Sequence, residues 1–168
     1  MKSLAAEVWR PRRPPTSPPP NFCLCKLSIR VQYEIWLRLR EAVPADPVKR
    51  YVPAYKFDIC LLDGTKVGVC DLRIGHTMGL FFGGNIGYGI EEAHRGHHYA
   101  ARACWLLFRL AARHAMQYVY ITCNPDNPAS SRTCQWAGCT LVCTVPLPED
   151  TELYQRGERN VMIYRKEL

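Results

Sequence analysis

The stretch HRGHHYAARA, residues 94–103, lies between a predicted strand and a predicted helix, and the interpretation of the whole chain depends on it. The strand, residues 84–92, ends just before it, and the helix, residues 97–114, places small and apolar side chains on one face at helical spacing. Backbone N–H groups at a helix start are unpaired and the helix dipole is positive there, which favours an anion. Because Gly96 allows close approach and Arg95 adds charge, the sequence predicts a phosphate-binding loop.

The three histidines of this stretch, His94, His97 and His98, also suggest a zinc site. Two of them are adjacent, so their side chains point apart, whereas ligands on a helix converge at i and i+4 spacing. The nine cysteines contain no C-x-x-C pair, and without a secretory signal they are expected to be reduced, packed thiols. The sequence therefore predicts no metal site, and we interpret the histidines as polar residues around the loop.

Composition and charge limit the classes of partner. The chain has 168 residues, about the length of one domain, and a net charge of +7, which favours nucleic acid, a phosphorylated cofactor or an anionic surface. Its apolar runs are shorter than the roughly 20 residues of a membrane span. No apolar stretch of signal-peptide length follows the N-terminal arginines. We therefore expect a cytoplasmic protein with no membrane partner.

The proline-rich stretch RPRRPPTSPPP, residues 10–20, sets the expected domain boundary. Proline lacks a backbone donor and fixes φ, so this stretch forms neither a helix nor a central strand. We expect residues 1–21 to be a disordered leader. Residues 22–168 contain no internal repeat and no second linker, so we expect them to form a single domain.

The hydrophobic pattern predicts elements in the order β-β-β-β-α-β-α-β-β. The predicted strands are EIWLRLREA, the two arms of KFDICLLDGTKVGVCDLRI, GGNIGYGIEE, YVYITC, TLVCTV and NVMIYRKEL. Asp63 and Gly64 form the hairpin turn. A second helix has Asn127 as its N-cap and Pro128 at its first position, and it ends at Gly138. This order predicts a mixed α/β fold in which helices cover a sheet.

Two motifs in this order resemble those of the GCN5-related N-acetyltransferases, the GNAT family. R-G-x-x-Y-A after a strand is similar to the family's acetyl-CoA pyrophosphate loop, Q/R-x-x-G-x-G/A: Arg95 and Ala100 match its ends, and His98 replaces its central glycine. NPDNPASSRTCQWAGC resembles the family segment in which N-x-x-S is followed by a helix. The two motifs are separated by one helix and one strand, as in the family, and the resemblance covers residues 56–168. It is closest to the branch that includes the ribosomal-protein N-terminal acetyltransferases.

The resemblance implies a GNAT-type α/β (α+β) fold. Its sheet is mixed and mostly antiparallel, has flanking helices, and contains two neighbouring parallel strands that splay apart. By resemblance these strands are residues 84–92 and 118–123, and the pantetheine arm of acetyl-CoA, the co-substrate, lies between them. The residues that the resemblance assigns to acetyl-CoA are Ile90, Arg95, Gly96, His97, His98, Tyr99, Ala100, Asn127 and Ser130.

The activity that the resemblance implies is transfer of an acetyl group from acetyl-CoA to a primary amine by direct attack. The amine must first lose a proton. Glu91 and Glu92, at the strand end beside the loop, are the candidate catalytic bases, with Asp126 behind them. The pair of helices that the family carries after its first strand is missing or greatly shortened between Ala42 and Lys56.

The expected acceptor is a small molecule or a protein N-terminus. The acidic run of residues 149–152 lies in the connection before the last strand, which in the family often borders the acceptor pocket, and it attracts a cationic amine there. We expect a monomer or a homodimer, with no nucleic-acid partner.

Two other function classes stay open at this point: a non-catalytic acyl-CoA-binding module and a basic nucleic-acid-binding protein. The second is disfavoured because the arginines of residues 97–114 form only a modest patch. Cys134 occupies a position where many relatives carry a tyrosine proposed to protonate the leaving thiolate. Its neighbours Trp136 and Ala137 favour a packing role, so we predict that the thiol takes no part in the reaction.

Overall fold

The computed structural model describes residues 28–30 and 34–168; the predicted leader, residues 1–21, and the predicted domain start at residue 22 lie outside them. The strands are β1 (Ser28–Arg30), β2 (Ile35–Val43), β3 (Ala54–Leu61), β4 (Lys66–Arg73), β5 (Ile86–Ile90), β6 (Tyr118–Cys123), β7 (Thr140–Pro146) and β8 (Asn160–Glu167). The helices are α1 (Met78–Gly83), α2 (Tyr99–Arg113), α3 (Pro128–Trp136) and α4 (Glu152–Gln155).

Strands β1 to β5 form an antiparallel sheet in chain order. Alternation sets its two faces: Ile35 and Leu37 of β2 are buried on the inner face, whereas Arg38, the next residue of the strand, is exposed on the outer face. The predicted hairpin turn joins β3 and β4, and Gly64 has a φ of +93°, a value that favours glycine. The predicted strands and hairpin are therefore confirmed.

Helix α2 covers the inner face of this sheet. It was predicted over residues 97–114, and it begins at Tyr99, with His98 as its N-cap, and ends at Arg113. Its alanines and leucines are buried in the main core cluster, and the arginine at position 109 on its opposite side is exposed. The amphipathic pattern thus predicted both the helix and its buried face.

Strands β6, β8 and β7 form a second antiparallel sheet in that order. Helices α1 and α4 supply Phe81, Phe82 and Leu153 to a separate apolar cluster on one face of this sheet. Neither helix is among the predicted elements. Each is capped by a threonine, Thr77 or Thr151, whose hydroxyl accepts a backbone N–H. Helices of six and four residues carry too little periodicity to be recognised, and packing on the sheet stabilises them.

The two sheets meet at Asn85, directly before β5. Its backbone N–H donates to the Tyr120 carbonyl at 2.7 Å, and its side-chain oxygen accepts the Tyr120 N–H at 2.9 Å. Beyond this point the described strand β5 is paired with β4 alone and β6 with β8 alone, so the two strands separate. Helix α2 joins the end of β5 to the start of β6, which is the crossover that a parallel pair needs. The predicted splayed pair is confirmed.

The connection between β2 and β3 contains no helix in the described chain. Residues 44–53 form a turn, closed by reciprocal 2.9 Å backbone bonds between Asp46 and Tyr51. The prediction that the family's helix pair is missing here is confirmed. Charged side chains on the outer face of the first sheet, such as Arg38 and Lys56, are therefore partly open to solvent.

Replacing Asn85 by alanine should lower the free energy of unfolding by about 3 kcal/mol or more, because each buried group left without a partner costs about 1–3 kcal/mol. The side chain also donates to the carbonyls of Arg73 at 3.1 Å and Gly75 at 2.8 Å, so three backbone groups lose a partner. Urea-induced unfolding measures the change. Asn127→Ala, which removes only an exposed helix cap, is the matched control and should cost about 1 kcal/mol. Equal losses in the two variants would contradict a joining role for Asn85.

Candidate active site

The predicted phosphate-binding loop contains two residues with left-handed backbone. Gly96 has a φ of +85°, and His98, at the N-cap of α2, has φ 58° and ψ 20°. His98 thus adopts a conformation that glycine favours, and the loop keeps this path although a histidine replaces the family's glycine. Its side chain does not cap the helix, so the first N–H groups of α2 have no side-chain cap among the residues that the structure describes. This is an uncapped start of a 15-residue helix, suited to an anion.

The left-handed conformation of His98 is supported by an aromatic contact. Its imidazole stacks on the indole of Trp136 with centroids 4.0 Å apart and planes 21° from parallel. A left-handed non-glycine residue costs about 1–2 kcal/mol, and an aromatic pair contributes about 0.5–1.5 kcal/mol. Trp136, at the end of α3, therefore offsets much of the strain. No sequence pattern predicts this pair, because its members lie 38 positions apart on different elements.

The side chains around the helix start are cationic or polar. Arg95 is exposed, and its Nε donates to the Ile90 carbonyl at 3.3 Å, which holds the guanidinium beside the end of β5. His97 is exposed and stacks on Tyr99, with centroids 5.4 Å apart. The predicted residues 95–100 therefore come together as one loop at the open end of the splayed strands.

The second motif begins helix α3. Asn127 caps it, with its side-chain oxygen accepting the Ser130 N–H at 3.0 Å. The Ser130 hydroxyl lies 2.9 Å from the Tyr88 hydroxyl, and either group can donate. Both predicted side chains are thus engaged in hydrogen bonds within the protein, and their contact with acetyl-CoA stays a prediction.

Tyr88 crosses the gap between β5 and α3. Besides Ser130 Oγ, its hydroxyl reaches the Ser130 carbonyl at 3.3 Å and the Cys134 sulfur at 3.7 Å. Burial raises the pKa of Tyr88 well above its usual value, so the phenol stays neutral. The Tyr88 phenol therefore lies beside Cys134, the position where many relatives carry a tyrosine. It comes from β5, however, and not from α3. Sequence reasoning missed it, because Tyr88 reads as an ordinary strand residue.

The thiol of Cys134 is fully buried. Its hydrogen bond with Cys123 and its burial raise its pKa, so the thiol stays protonated. These surroundings agree with the packing role that the neighbouring residues predict for Cys134.

The predicted catalytic bases lie at the end of β5. Glu91 and Glu92 are both exposed, and they begin the short 3-10 turn Glu92–His94. Asp126 is also exposed, in the turn before α3. Their catalytic role stays a prediction.

A cavity of about 300 Å³ opens on the outer face of the first sheet, next to β5. Its lining residues are Arg40, Lys56, Val69, Cys70, Asp71, Tyr88 and Gly89. On the outer side, the Tyr51 hydroxyl donates to Glu152 at 3.0 Å, which joins the 44–53 connection to the acidic run. These residues come from four different strands, so no local pattern in the sequence groups them.

Two further findings concern metals and membranes. Within residues 28–30 and 34–168, no three His, Cys, Asp or Glu side chains converge in a way that could hold a metal ion. No helix of the described chain has the length and apolarity to cross a membrane.

The loop, the splayed strands and the motif that begins α3 can now be compared with known proteins. A family model described as the acetyltransferase (GNAT) domain matches residues 30–140. The chain belongs to the GNAT family of acetyltransferases. No curated protein matches it.

Solved structures share this GNAT fold. A protein from Vibrio cholerae assigned as a ribosomal-protein-serine acetyltransferase has a TM-score of 0.61 at 17% identity, covering 84% of this chain and 98% of that one. The ribosomal-protein alpha-N-acetyltransferase RimL, in complex with coenzyme A, has 0.61 at 16%, with coverages of 84% and 98%. Spermidine N-acetyltransferase from Vibrio cholerae, with coenzyme A and spermine, has 0.52 at 11%, with coverages of 68% and 65%. At these identities the likeness shows the fold alone.

Replacing Gly96 by valine should raise the Kd for acetyl-CoA about tenfold or more, equivalent to about 1.4 kcal/mol. A β-branched residue does not tolerate a φ of +85°, so the loop must move away from the helix start. Calorimetric titration measures the affinity. Gly64→Val is the matched control: it introduces similar strain at φ +93° in the hairpin turn, also in open space. Unchanged affinity in folded Gly96→Val protein would remove the cofactor from this loop.

Cys134→Ala and Cys134→Ser should keep kcat within about tenfold of the wild type, since a loss of true acid catalysis costs more than that. The thiol is buried with a raised pKa, so it is a poor proton relay. Steady-state acetyl transfer measured against pH checks this. A hundredfold loss in folded protein, together with loss of the basic limb of the profile, would make Cys134 the acid.

Proposed function

We propose that the protein transfers the acetyl group of acetyl-CoA directly to a primary amine, without an acetylated enzyme intermediate. The observation that carries this is the juxtaposition of an uncapped helix start, in the left-handed loop of residues 96–98, with two strands that separate from Asn85 onward. The helix start suits the pyrophosphate of acetyl-CoA. The separation of the strands leaves an unpaired strand edge for the extended pantetheine arm.

The free edge of β5 suits the pantetheine arm and the thioester. The Glu91 N–H bonds to Val67 of β4. Since successive residues of a strand alternate, the N–H groups of Tyr88 and Ile90 point to the other side, into the gap. These donors can pair with the amide groups of the pantetheine arm, and one can stabilise the oxyanion that forms when the amine attacks. This gives the predicted residue Ile90 a backbone role.

Protein groups complete the cofactor site. We assign the pyrophosphate to the backbone of Gly96 to Ala100, with the Arg95 guanidinium adding charge. Asn127 caps the start of α3, and Ser130 holds that start against β5 through its hydrogen bond with Tyr88. Acetyl-CoA supplies the electrophilic thioester carbonyl, and its thiolate leaves.

The acceptor, in this proposal, is a small amine or a protein N-terminus that enters from the outer face. Similar structures include enzymes named for ribosomal proteins and for spermidine, which span both classes. The missing helix pair leaves the outer face accessible for either. We also propose a cytoplasmic monomer or homodimer, with Glu91 and Glu92 as the carboxylates that the sequence offers as proton acceptors.

The test is coupled detection of thiol release and of acetylated product. The protein is incubated with acetyl-CoA and a panel of dipeptides, polyamines and N-terminal peptides, and mass spectrometry identifies the product. We expect amine-dependent release of coenzyme A in equal amount to the acetylated amine. Binding of acetyl-CoA by calorimetry without turnover on any amine would instead indicate a non-catalytic acyl-CoA-binding module.

A further inference from the structure

The cavity on the outer face of the first sheet contains one carboxylate, that of Asp71 on β4. Its Oδ2 lies 3.1 Å from Arg73 Nε, and Arg73 is in turn anchored by donating to the carbonyls of Gly83 and Gly84 at 2.9 and 3.0 Å. Oδ1 accepts no hydrogen bond from the described residues. The carboxylate is thus fixed through one oxygen and free at the other.

The free oxygen of Asp71 is directed at β5. A Cβ placed on Gly87 would lie 2.5 Å from Asp71 Oδ1, so the carboxylate occupies the space that a side chain of β5 would need. Gly87 and Gly89 are the outer-face positions of this strand, and neither supplies a side chain. A carboxylate from β4 therefore lies over the strand whose other edge borders the gap for the thioester.

Two cations share the cavity with this carboxylate. Lys56 lies directly opposite Asp71 in the β3–β4 register and pairs with Glu41 at 2.8 Å. Arg40 is the extra residue of a bulge in β2, is exposed, and makes no salt bridge with the described residues. Arg40 lies two strands from Asp71, a separation of about 10 Å between backbones. The cavity thus presents a carboxylate at one side and an available guanidinium at the other.

We propose that this cavity is the acceptor site and that it takes a primary amine carrying its own anionic group, with the ammonium on Asp71 and the anion on Arg40. This inference rests on the proposed acetyl transfer. The spacing fits a dipeptide or an amine of similar length with a carboxylate or phosphate at its far end. A polyamine fits poorly, because Arg40 and Lys56 repel its second cationic group.

In this arrangement Asp71, rather than Glu91 or Glu92, takes the proton. The ammonium gives one proton to Asp71 Oδ1, and the nitrogen lone pair then attacks the thioester carbonyl carbon. When the tetrahedral intermediate collapses, the C–S bond breaks and the sulfur leaves with its electron pair. The nitrogen loses its second proton to that thiolate, giving the amide and coenzyme A, and Asp71 releases the first proton to water.

The charges around Asp71 set the pH behaviour. Burial raises the pKa of Asp71, while Arg73 on its own strand and Lys56 on β3 oppose that rise. Arg40 and Glu41 lie on β2. From β5 the cavity is lined by Gly89 and Tyr88, and the Tyr88 hydroxyl contacts Ser130 and Cys134. As the pH falls through the raised pKa, Asp71 becomes neutral and loses both its attraction for ammonium and its ability to accept a proton.

Matched acceptors test the anion. The probes are alanyl-alanine and its C-terminal amide, which differ only in charge at the far end, with spermidine as a third acceptor. We expect a wild-type kcat/KM about tenfold higher for the carboxylate than for the amide, the effect of one charge-assisted contact. Arg40→Gln should reduce this ratio to about one. Arg38→Gln is the control, since Arg38 lies on the same face but pairs with Asp58 at 3.1 Å and does not line the cavity.

The selectivity proposal is overturned if the wild type prefers the amide or spermidine, or if Arg38→Gln removes the preference as fully as Arg40→Gln.

Asp71→Asn tests the proton step against the carboxylates singled out from the sequence. With alanyl-alanine at about pH 7, kcat should fall about a hundredfold, the size of a general-base contribution. At about pH 9 much of the loss should return, because the free amine, with a pKa of about 8, is then already neutral. A purely structural role of Asp71 would lower kcat equally at both pH values and would overturn the assignment. So would a pH-dependent loss in the Glu91→Gln/Glu92→Gln double variant with none in Asp71→Asn.

Failure of this inference is distinguishable from failure of the proposed function. Calorimetry should show that Asp71→Asn and Arg40→Gln bind acetyl-CoA as tightly as the wild type, because neither residue belongs to the loop of α2. If wild-type protein acetylates amines and these variants do so unaltered, the acceptor site lies elsewhere while the acetyltransferase function stands. If wild-type protein binds acetyl-CoA and acetylates no amine, both fail.

Discussion

Asn85 is the constraint on which the rest of the structure depends. It is fully buried and binds backbone groups of β4, the following loop and β6, so it holds two separate sheets at one point. Because these bonds lie at the start of β5, the strands are joined there and free to diverge beyond. A regular ladder between β5 and β6 would close the gap. A single buried amide with all its hydrogen bonds satisfied therefore creates both the joint and the opening.

The loop at the start of α2 depends on a second long-range contact. His98 has a left-handed backbone, and its ring stacks on Trp136 of α3. Helix α3 is itself held to β5 by the hydrogen bonds between Ser130 and Tyr88. The conformation of the anion-binding loop is therefore linked to the opposite wall of the gap. A change in either wall is therefore expected to alter the loop to which we assign the phosphates, although the residues involved lie far apart in the chain.

The outer face shows how the loss of an element alters chemistry. Because no helix lies between β2 and β3, the charged side chains on the outer face of the first sheet stay accessible to solvent. Most of them form ion pairs, such as Arg38 with Asp58 and Lys56 with Glu41. Arg40 and one oxygen of Asp71 are outside that pairing in the described chain. Because Gly87 has no side chain, the Asp71 carboxylate occupies the space beside β5. The charges exposed in the cavity thus depend on the absence of covering helices and of side chains at Gly87 and Gly89 as well as on Arg40 and Asp71.

The sequence by itself determined the order of the main strands and helices, the hairpin at Gly64 and the loop at Gly96, because these follow from local periodicity and from backbone conformations that single residues favour. It also determined the family, since both motifs are local. The tertiary structure alone decided the contacts of Asn85, Tyr88, Trp136 and Asp71. Their contacts join elements distant in sequence, and neither spacing nor composition encodes which buried donor finds which acceptor. Short helices α1 and α4 belong to the same group, because packing on the sheet, rather than propensity, stabilises them.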